Sequence, residues 1–212
     1  MSRPKTLAAE SSSTLFGLLR HGLTIWNEEK RIQGRLNSPL SEDGRTSIRN
    51  FIPLLKGYQW NRIIASDLGR VQETVSIINR ELGLPVSYDK RLREINWGEW
   101  EGFRLVDVRT KYGAELSEEE LKGWNFRAPG GESRKEVLQR AKASLVEAAE
   151  QWHGDNILVV CHLGVIKCLI YGILQREFMP QDKKLLNTKA LHLIDWENSR
   201  WNCRQLNIHD PE

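Results

Sequence analysis

The chain has 212 residues, 40% of them hydrophobic and 28% charged, with a formal net charge of +3. That size and balance fit one globular domain with a substantial core, and no apolar run approaches the roughly 20 residues needed to span a bilayer. The small, evenly scattered excess of positive charge argues against a nucleic-acid partner, yet a few arginines in one pocket would still attract a small anion.

Residues 1–14 are polar and serine-rich, and Leu7-Ala8-Ala9 is too short for a signal-peptide core. They read as a flexible lead-in to a single domain over 15–212, in a chain expected to stay in the cytoplasm. Leu15 to Leu19 form an apolar run that stops abruptly at Arg20, His21 and Gly22, the pattern of a buried strand ending in a polar turn. Leu23 to Leu40, with Gly34 and Pro39, reads as a loop over that strand end, with a short helical piece near Ile25 to Lys30. Ser41 opens a helix whose Ile48, Phe51, Ile52 and Leu55 share a face, and Pro53 is expected to kink or end it. Trp60 to Ser66 is a second strand. From Asp67 a helix runs through Leu68, Val71, Val75, Ile78 and Leu82 to Gly83 and Pro85, with Arg70 in its first turn. Val86 to Tyr88 is a short third strand leading to Leu92-Arg93-Glu94.

Phe103 to Tyr112 and Ser117 to Trp124 read as two short helices, the second opened by a capping box from Ser117 to Glu120. They give a small helical flap over about 95–130, in which Glu118-Glu119-Glu120 is a helix start and Trp97, Trp100 and Trp124 are packing residues, with contact to substrate as the alternative. After Pro129-Gly130-Gly131, Ser133 and Glu136 open a long helix with Val137, Leu138, Ala141, Leu145, Ala148, Ala149 and Trp152 on its core face. Asn156 to Cys161 is the clearest strand, and it too ends on a histidine, His162, before a helix over Val165 to Leu174. Ala190 to Asp195 and Arg200 to Leu206 close the chain as a hairpin. Strands alternating with helices predict an α/β fold, a three-layer sandwich with a mostly parallel central sheet and helices on both faces. Its apolar edge strands could pair in a homodimer. Cys161, Cys168 and Cys203 lack C-x-x-C spacing and sit in apolar contexts, so they read as buried reduced thiols, not disulfides or a zinc site.

Ligands of open α/β sheets bind beyond the carboxyl ends of the strands. Convergence there would gather Arg20, His21, Arg70 and His162, a cationic cluster whose complement is a phosphoryl group. An imidazole attacks phosphorus only when unprotonated, and two nearby guanidinium groups would press its pKa below the usual value of about 6.5. Its other ring nitrogen, donating to a backbone carbonyl, would fix the tautomer. Glu94, following the third strand, is placed to protonate the leaving group, with a bound phosphate raising its pKa, and afterwards to accept a proton from water. No metal or cofactor is called for, since no pair of histidines has ligand spacing and the arginines already neutralise charge.

Six stretches carry a resemblance in the right order: R-H-G-L-T-I-W-N (20–27), Q-G-R-L-N-S-P-L-S (33–41), S-D-L-G-R-V-Q-E-T (66–74), L-R-E-I-N-W-G-E-W-E-G (92–102), P-G-G-E-S (129–133) and V-V-C-H-L-G-V-I (159–166). Through them the chain resembles the histidine phosphatase superfamily, in the branch containing cofactor-dependent phosphoglycerate mutases. The resemblance implies a phosphoglycerate mutase-like fold, phosphorylation of His21, a grip on the phosphoryl group by Arg20, Arg70 and His162, and proton donation by Glu94. It adds Asn27 and the backbone amide of Leu163 as phosphate contacts, and Thr24, Gln33 and Gly34 near the pocket mouth. Arg31 and Arg35 would meet a second anionic group or form a solvated loop face. Asn37 departs from the aspartate common in the pattern, Leu163 replaces a small residue, and His153, His192 and His209 match nothing and read as surface or packing residues.

The motifs are shared by phosphatases and mutases, which differ in whether water or a second alcohol accepts the phosphoryl group. The compact stretch between Glu94 and Pro129 and the short segment after the last strands favour hydrolysis of a small phosphorylated metabolite, with the mutase as the alternative. A catalytically silent phosphate-binding module is a third reading, opposed by the intact charged positions.

Overall fold

The structure, a computed structural model, describes residues 13–209. Six strands, β1 (Thr14–Arg20), β2 (Arg62–Ala65), β3 (Val86–Tyr88), β4 (Asn156–Cys161), β5 (Leu191–Glu197) and β6 (Arg200–Ile208), form one sheet in the order β3-β2-β4-β1-β5-β6. The pairings among β1 to β4 are parallel, whereas β5 runs antiparallel to β1 and β6 to β5. Parallel neighbours need long crossovers, supplied by helices, while β5 and β6 are joined by a tight turn with Asn198 and Ser199 at φ of 49° and 61°. The helices are α1 (Ile25–Glu28), α2 (Glu42–Lys56), α3 (Gly69–Leu82), α4 (Leu105–Glu120), α5 (Arg134–Gln151) and α6 (Leu163–Ile173).

Unbroken apolar runs make sense because both sheet faces are covered. Phe16, Leu18, Ile157, Val159 and Cys161 pack with Val137, Leu145, Ile166 and Leu169 of α5 and α6. Leu19, Leu158, Val160, Ile63 and Ala65 pack with Ile48, Leu55, Val71 and Ile78 of α2 and α3. Each of the Val, Leu, Ile and Phe side chains among them contributes roughly 1.5–3 kcal/mol by leaving water. A separate small cluster of Trp100, Val108, Leu116, Phe126 and Ala128 holds the segment after Glu94 together. Among the described residues, no helix is long and apolar enough to cross a membrane.

Several boundaries differ from expectation. The expected lead-in lies outside the described residues up to residue 12, but Thr14 opens β1, buried, with its Oγ1 accepting from the Gly154 amide at 3.0 Å. Pro53 neither ends nor interrupts α2, which continues to Lys56 although proline removes the amide donor that would reach the Arg49 carbonyl. The two expected flap helices over 103–112 and 117–124 are present with shifted bounds, as the two helical halves of α4 that meet at a kink at Tyr112, with φ −125° and ψ 27°. Ser117 caps nothing. It lies inside α4 and its Oγ donates to the Gly113 carbonyl at 2.8 Å, so Glu118 to Glu120 end the helix instead of starting one. Trp124 falls in a short 3-10 turn, Gly123–Asn125. α6 starts at Leu163 and not Val165, because extended His162 is its N-cap.

Gly17 in β1 is fixed by Trp60: a Cβ there would enter the Trp60 ring, which is itself tethered by its Nε1 donating to the Leu55 carbonyl at 2.9 Å. Gly17→Ala should therefore destabilise the fold by about 1–3 kcal/mol, read as a lower urea midpoint at unchanged m-value. An unshifted midpoint would mean that the Trp60 ring yields freely.

Candidate active site

β2, β4 and β1 are neighbours whose carboxyl ends are nearly level, with Ala65 opposite Val160 and Arg20 opposite Cys161. The ladder continues one step further: the Ser66 amide donates to the Val160 carbonyl at 3.1 Å, and the His21 amide to the Cys161 carbonyl at 3.0 Å. Ser66, His162 and His21 are thereby set along one sheet edge. Arg70, in the first turn of α3, is only 1% exposed and joins them. Its Nε donates to His21 Nε2 at 3.3 Å and its Nη2 to His162 Nδ1 at 3.2 Å. Its Nη1 and Nη2 also donate to the carbonyls of Leu36 at 2.7 Å and Gly34 at 2.8 Å. The two imidazole centroids are 5.1 Å apart.

These contacts assign opposite tautomers. His21 Nδ1 lies 2.7 Å from the Gly22 carbonyl and must donate to it, which leaves a lone pair on Nε2. A guanidinium has no acceptor, so His162 Nδ1 accepts from Arg70, and His162 Nε2 carries the proton donated to Ser66 Oγ at 2.9 Å. Burial, then Arg20 and Arg70, hold the His21 pKa well below its ordinary value. Burial and Arg70 do the same at His162. Burial also lowers Arg70 to about 10, which leaves it charged at neutral pH. Arg20 is lowered by burial and supported by Glu94, and its buried Nε has no hydrogen-bond partner among the described residues.

Glu94 is fastened from several sides. Its Oε1 accepts from the Ile95 amide at 2.9 Å and its Oε2 from the Gly164 amide at 3.3 Å. A Cβ on Gly164 would meet this carboxylate, so a larger residue there would displace Glu94 from its present position. Arg140 of α5 donates to the carbonyls of Arg91 at 2.6 Å and Glu94 at 3.2 Å while pairing with Glu132 at 2.6 Å. Arg93 turns the other way, onto Asp67 at 2.5 Å.

Arg20, His21, Asn27, Gln33, Gly34, Arg70 and Glu94 all line one cleft of about 310 Å³, near the lower bound for a small-molecule site. Three expected residues do not. His162 is fully buried and reached through Arg70. Thr24, also buried, forms a capping box with Asn27, its amide donating to Asn27 Oδ1 at 3.1 Å, which leaves the Asn27 amide nitrogen as the available donor. Leu163 is the first residue of α6, directly after its N-cap His162. The cleft adds Lys30, Ile32 and Leu105, none of them foreseen as lining residues, together with Trp97 and Arg31. Arg31 is engaged by Glu29 at 2.5 Å and the Gly102 carbonyl at 3.0 Å, and Arg35 pairs with Glu132 at 3.3 Å, away from the lining. Ser66 escaped the sequence reading, although it follows its strand just as His21 follows β1. Asn37 Oδ1 accepts from the Gly69 amide at 3.0 Å at the start of α3, a hydrogen bond that an aspartate would also make with added charge.

Outside this cluster, Cys161 and Cys168 lie in the core with burial pushing both thiols up to about 12, and Cys203 is raised more modestly. Buried His192 accepts from the Asn207 amide at 3.1 Å, and burial lowers its pKa to about 4. His209 is exposed. Among the described residues, no three His, Cys, Asp or Glu side chains gather as metal ligands.

His21, His162 and His192 thus stay neutral in the fold at pH values where the unfolded chain, with imidazole pKa of about 6.5, takes up protons. Below that value the unfolded state binds more protons, so stability falls as pH falls towards each folded-state pKa. Urea midpoints should drop between pH 7 and pH 5 while the His21 and His162 imidazole NMR signals do not titrate. Titration of both rings near 6.5 would contradict their burial beside Arg70.

A family model described as the histidine phosphatase superfamily (branch 1) matches residues 16–209. A protein of Salmonella choleraesuis named probable phosphoglycerate mutase GpmB is 34% identical over 193 residues, covering 87% of this chain and 86% of its own. Among solved structures, mycobacterial glucosyl-3-phosphoglycerate phosphatase in complex with VO3 aligns with a TM-score of 0.81 at 28% identity, covering 92% of this chain and 100% of that one. Bacillus stearothermophilus YhfR aligns with a TM-score of 0.80 at 27% identity, covering 90% and 95%. With six ordered motifs and a matching mixed sheet behind these likenesses, the chain belongs to the histidine phosphatase superfamily, branch 1, and is an enzyme of the phosphatase class.

Proposed function

We propose that the protein hydrolyses small phosphate monoesters through a phosphohistidine at His21. The observation that carries this reading is the His21 ring itself: Nδ1 is tied to the Gly22 carbonyl at 2.7 Å, and the unprotonated Nε2 faces Arg70 across 3.3 Å. In the first step Nε2 attacks phosphorus, the bond to the ester oxygen breaks, and Glu94 gives that oxygen a proton. In the second step water attacks the phosphohistidine, Glu94 takes the proton, and the N–P bond breaks to release phosphate and restore His21. Arg20 and Arg70 hold the peripheral oxygens throughout, with Asn27 and the α6 amino end at Leu163 adding donors. His162 acts from behind Arg70. Gln33 and Gly34 shape the mouth, and Thr24 fixes Asn27.

Hydrolysis is supported by the phosphatase among the structural neighbours and by Glu94, half-buried on the cleft wall, where water has access to it. The name of the 34%-identical relative favours a second reading, a mutase that returns the phosphoryl group to another alcohol. Activity on 3-phosphoglycerate that requires a bisphosphorylated primer would select it. A silent binding module would turn over nothing.

Rapid quenching into base during turnover of 4-nitrophenyl phosphate should trap phosphate on His21 in the wild type. His21→Ala should yield neither adduct nor product, and turnover without any adduct would sink the mechanism. Glu94→Gln should slow alkyl phosphates by about 10²-fold or more, the usual worth of a general acid, while sparing substrates whose leaving group needs no proton. Equal losses on both would remove Glu94 as the acid.

A further inference from the structure

A second cavity, of about 160 Å³, shares no lining residue with the catalytic cleft. It lies between the end of α4, the start of α5, the middle of α6 and the segment before β5, where Arg134, Lys167 and Lys184 meet Phe178, Glu120 and Asp182. Arg134 is stacked between the rings of Phe126 and Phe178, at 4.3 and 4.6 Å from their centroids, and its Nη1 donates to the Gly123 carbonyl at 3.0 Å. A guanidinium held this way keeps its orientation with no carboxylate to hold it. Neither lysine, nor Arg134, forms an ion pair among the described residues, although two carboxylates line the same cavity. Asp182 instead accepts from the Met179 amide at 3.3 Å. Burial, with repulsion from Arg134 and Lys184, lowers the Lys167 pKa. Like charges gathered around a partly desolvated space repel one another, and a small anion between them relieves that cost.

We propose that this cavity binds an anionic group, a phosphate or a carboxylate, through Arg134, Lys167 and Lys184. Lys167 follows Gly164 by three residues on the same face of α6, about one turn, or roughly 5 Å, from the amide that holds Glu94. The anion is therefore either the far end of a substrate seated at His21 or a free ion bound beside the catalytic cleft.

Calorimetric titration with inorganic phosphate tests the site on the full chain. Wild type should bind two phosphates. Lys167→Ala/Lys184→Ala should keep the catalytic site and weaken the second by about tenfold or more. A single site in the wild type, or two unaltered sites in the double variant, overturns the proposal. Turnover of 4-nitrophenyl phosphate, which carries one anionic group, should be unchanged in the double variant, so failure of the catalytic reading shows separately. A KM raised about tenfold in the variant for a monoester that also bears a carboxylate identifies the substrate as the source. An unmoved KM, with the second phosphate still lost, identifies a free anion.

Discussion

The active-site architecture hangs on a buried cation without a carboxylate partner. Arg70 is almost wholly withdrawn from water, and its donors end on two backbone carbonyls and two imidazole nitrogens. Burying a charge in this way is costly, and neutral acceptors recover only part of the cost; the fall of Arg70 to about 10 is the trace of what remains. The arrangement ties together parts of the chain that have no other reason to meet. Gly34 adopts a φ of +52° to present its carbonyl, and a side chain there would run into Glu101. Helix α3, the loop over the strand ends and the two histidine-bearing strands all converge on one side chain.

Around that cation the structure separates groups that must stay neutral from groups that must stay charged. The imidazoles are pressed down by burial and by the guanidinium groups they face. Glu94 is kept off the arginines by its own contacts, the amides of Ile95 and Gly164 in front and the grip of Arg140 on its carbonyl behind. Had the carboxylate formed a direct ion pair with Arg70, the cleft would have been neutralised before any ligand arrived. Its distance leaves Arg20 Nε unmatched, and that leftover donor capacity is what an anion can use.

How much of this could be read beforehand depended on whether the signal was local. Apolar runs ending in Arg20-His21 and Cys161-His162 mark both strands, and their carboxyl ends lie where an open α/β sheet takes its ligands. The convergence of Arg70 with both histidines required parallel order and register, which the sequence implied only through alternation of strands and helices. Ser66 was overlooked because a serine after a short strand carries no charge to draw notice. The flap misled for a different reason. Ser117 and Glu120 have the spacing of a cap, but a helix already under way from Gly113 extends through them at less cost than starting afresh, since nucleation is the expensive step. His162 and Leu163 show the same limit at α6: the histidine caps the helix by backbone conformation alone, φ −126° and ψ 155°, a property no residue type announces.

The opposed tautomers of the two imidazoles follow from what each ring touches outside the pair, and they bear on how the proposed reaction begins. Gly22 requires a proton on His21 Nδ1, and Ser66 receives one from His162 Nε2, so both remaining lone pairs point at Arg70. A phosphoryl dianion offers stronger acceptors than imidazole nitrogen. When it enters, the guanidinium exchanges those nitrogens for oxygens without moving its two carbonyl anchors. In the proposed reaction that exchange would uncover His21 Nε2 as phosphorus comes within reach. The cation that holds the phosphoryl group in the proposed reaction would thus also mask the His21 lone pair until a ligand takes its place.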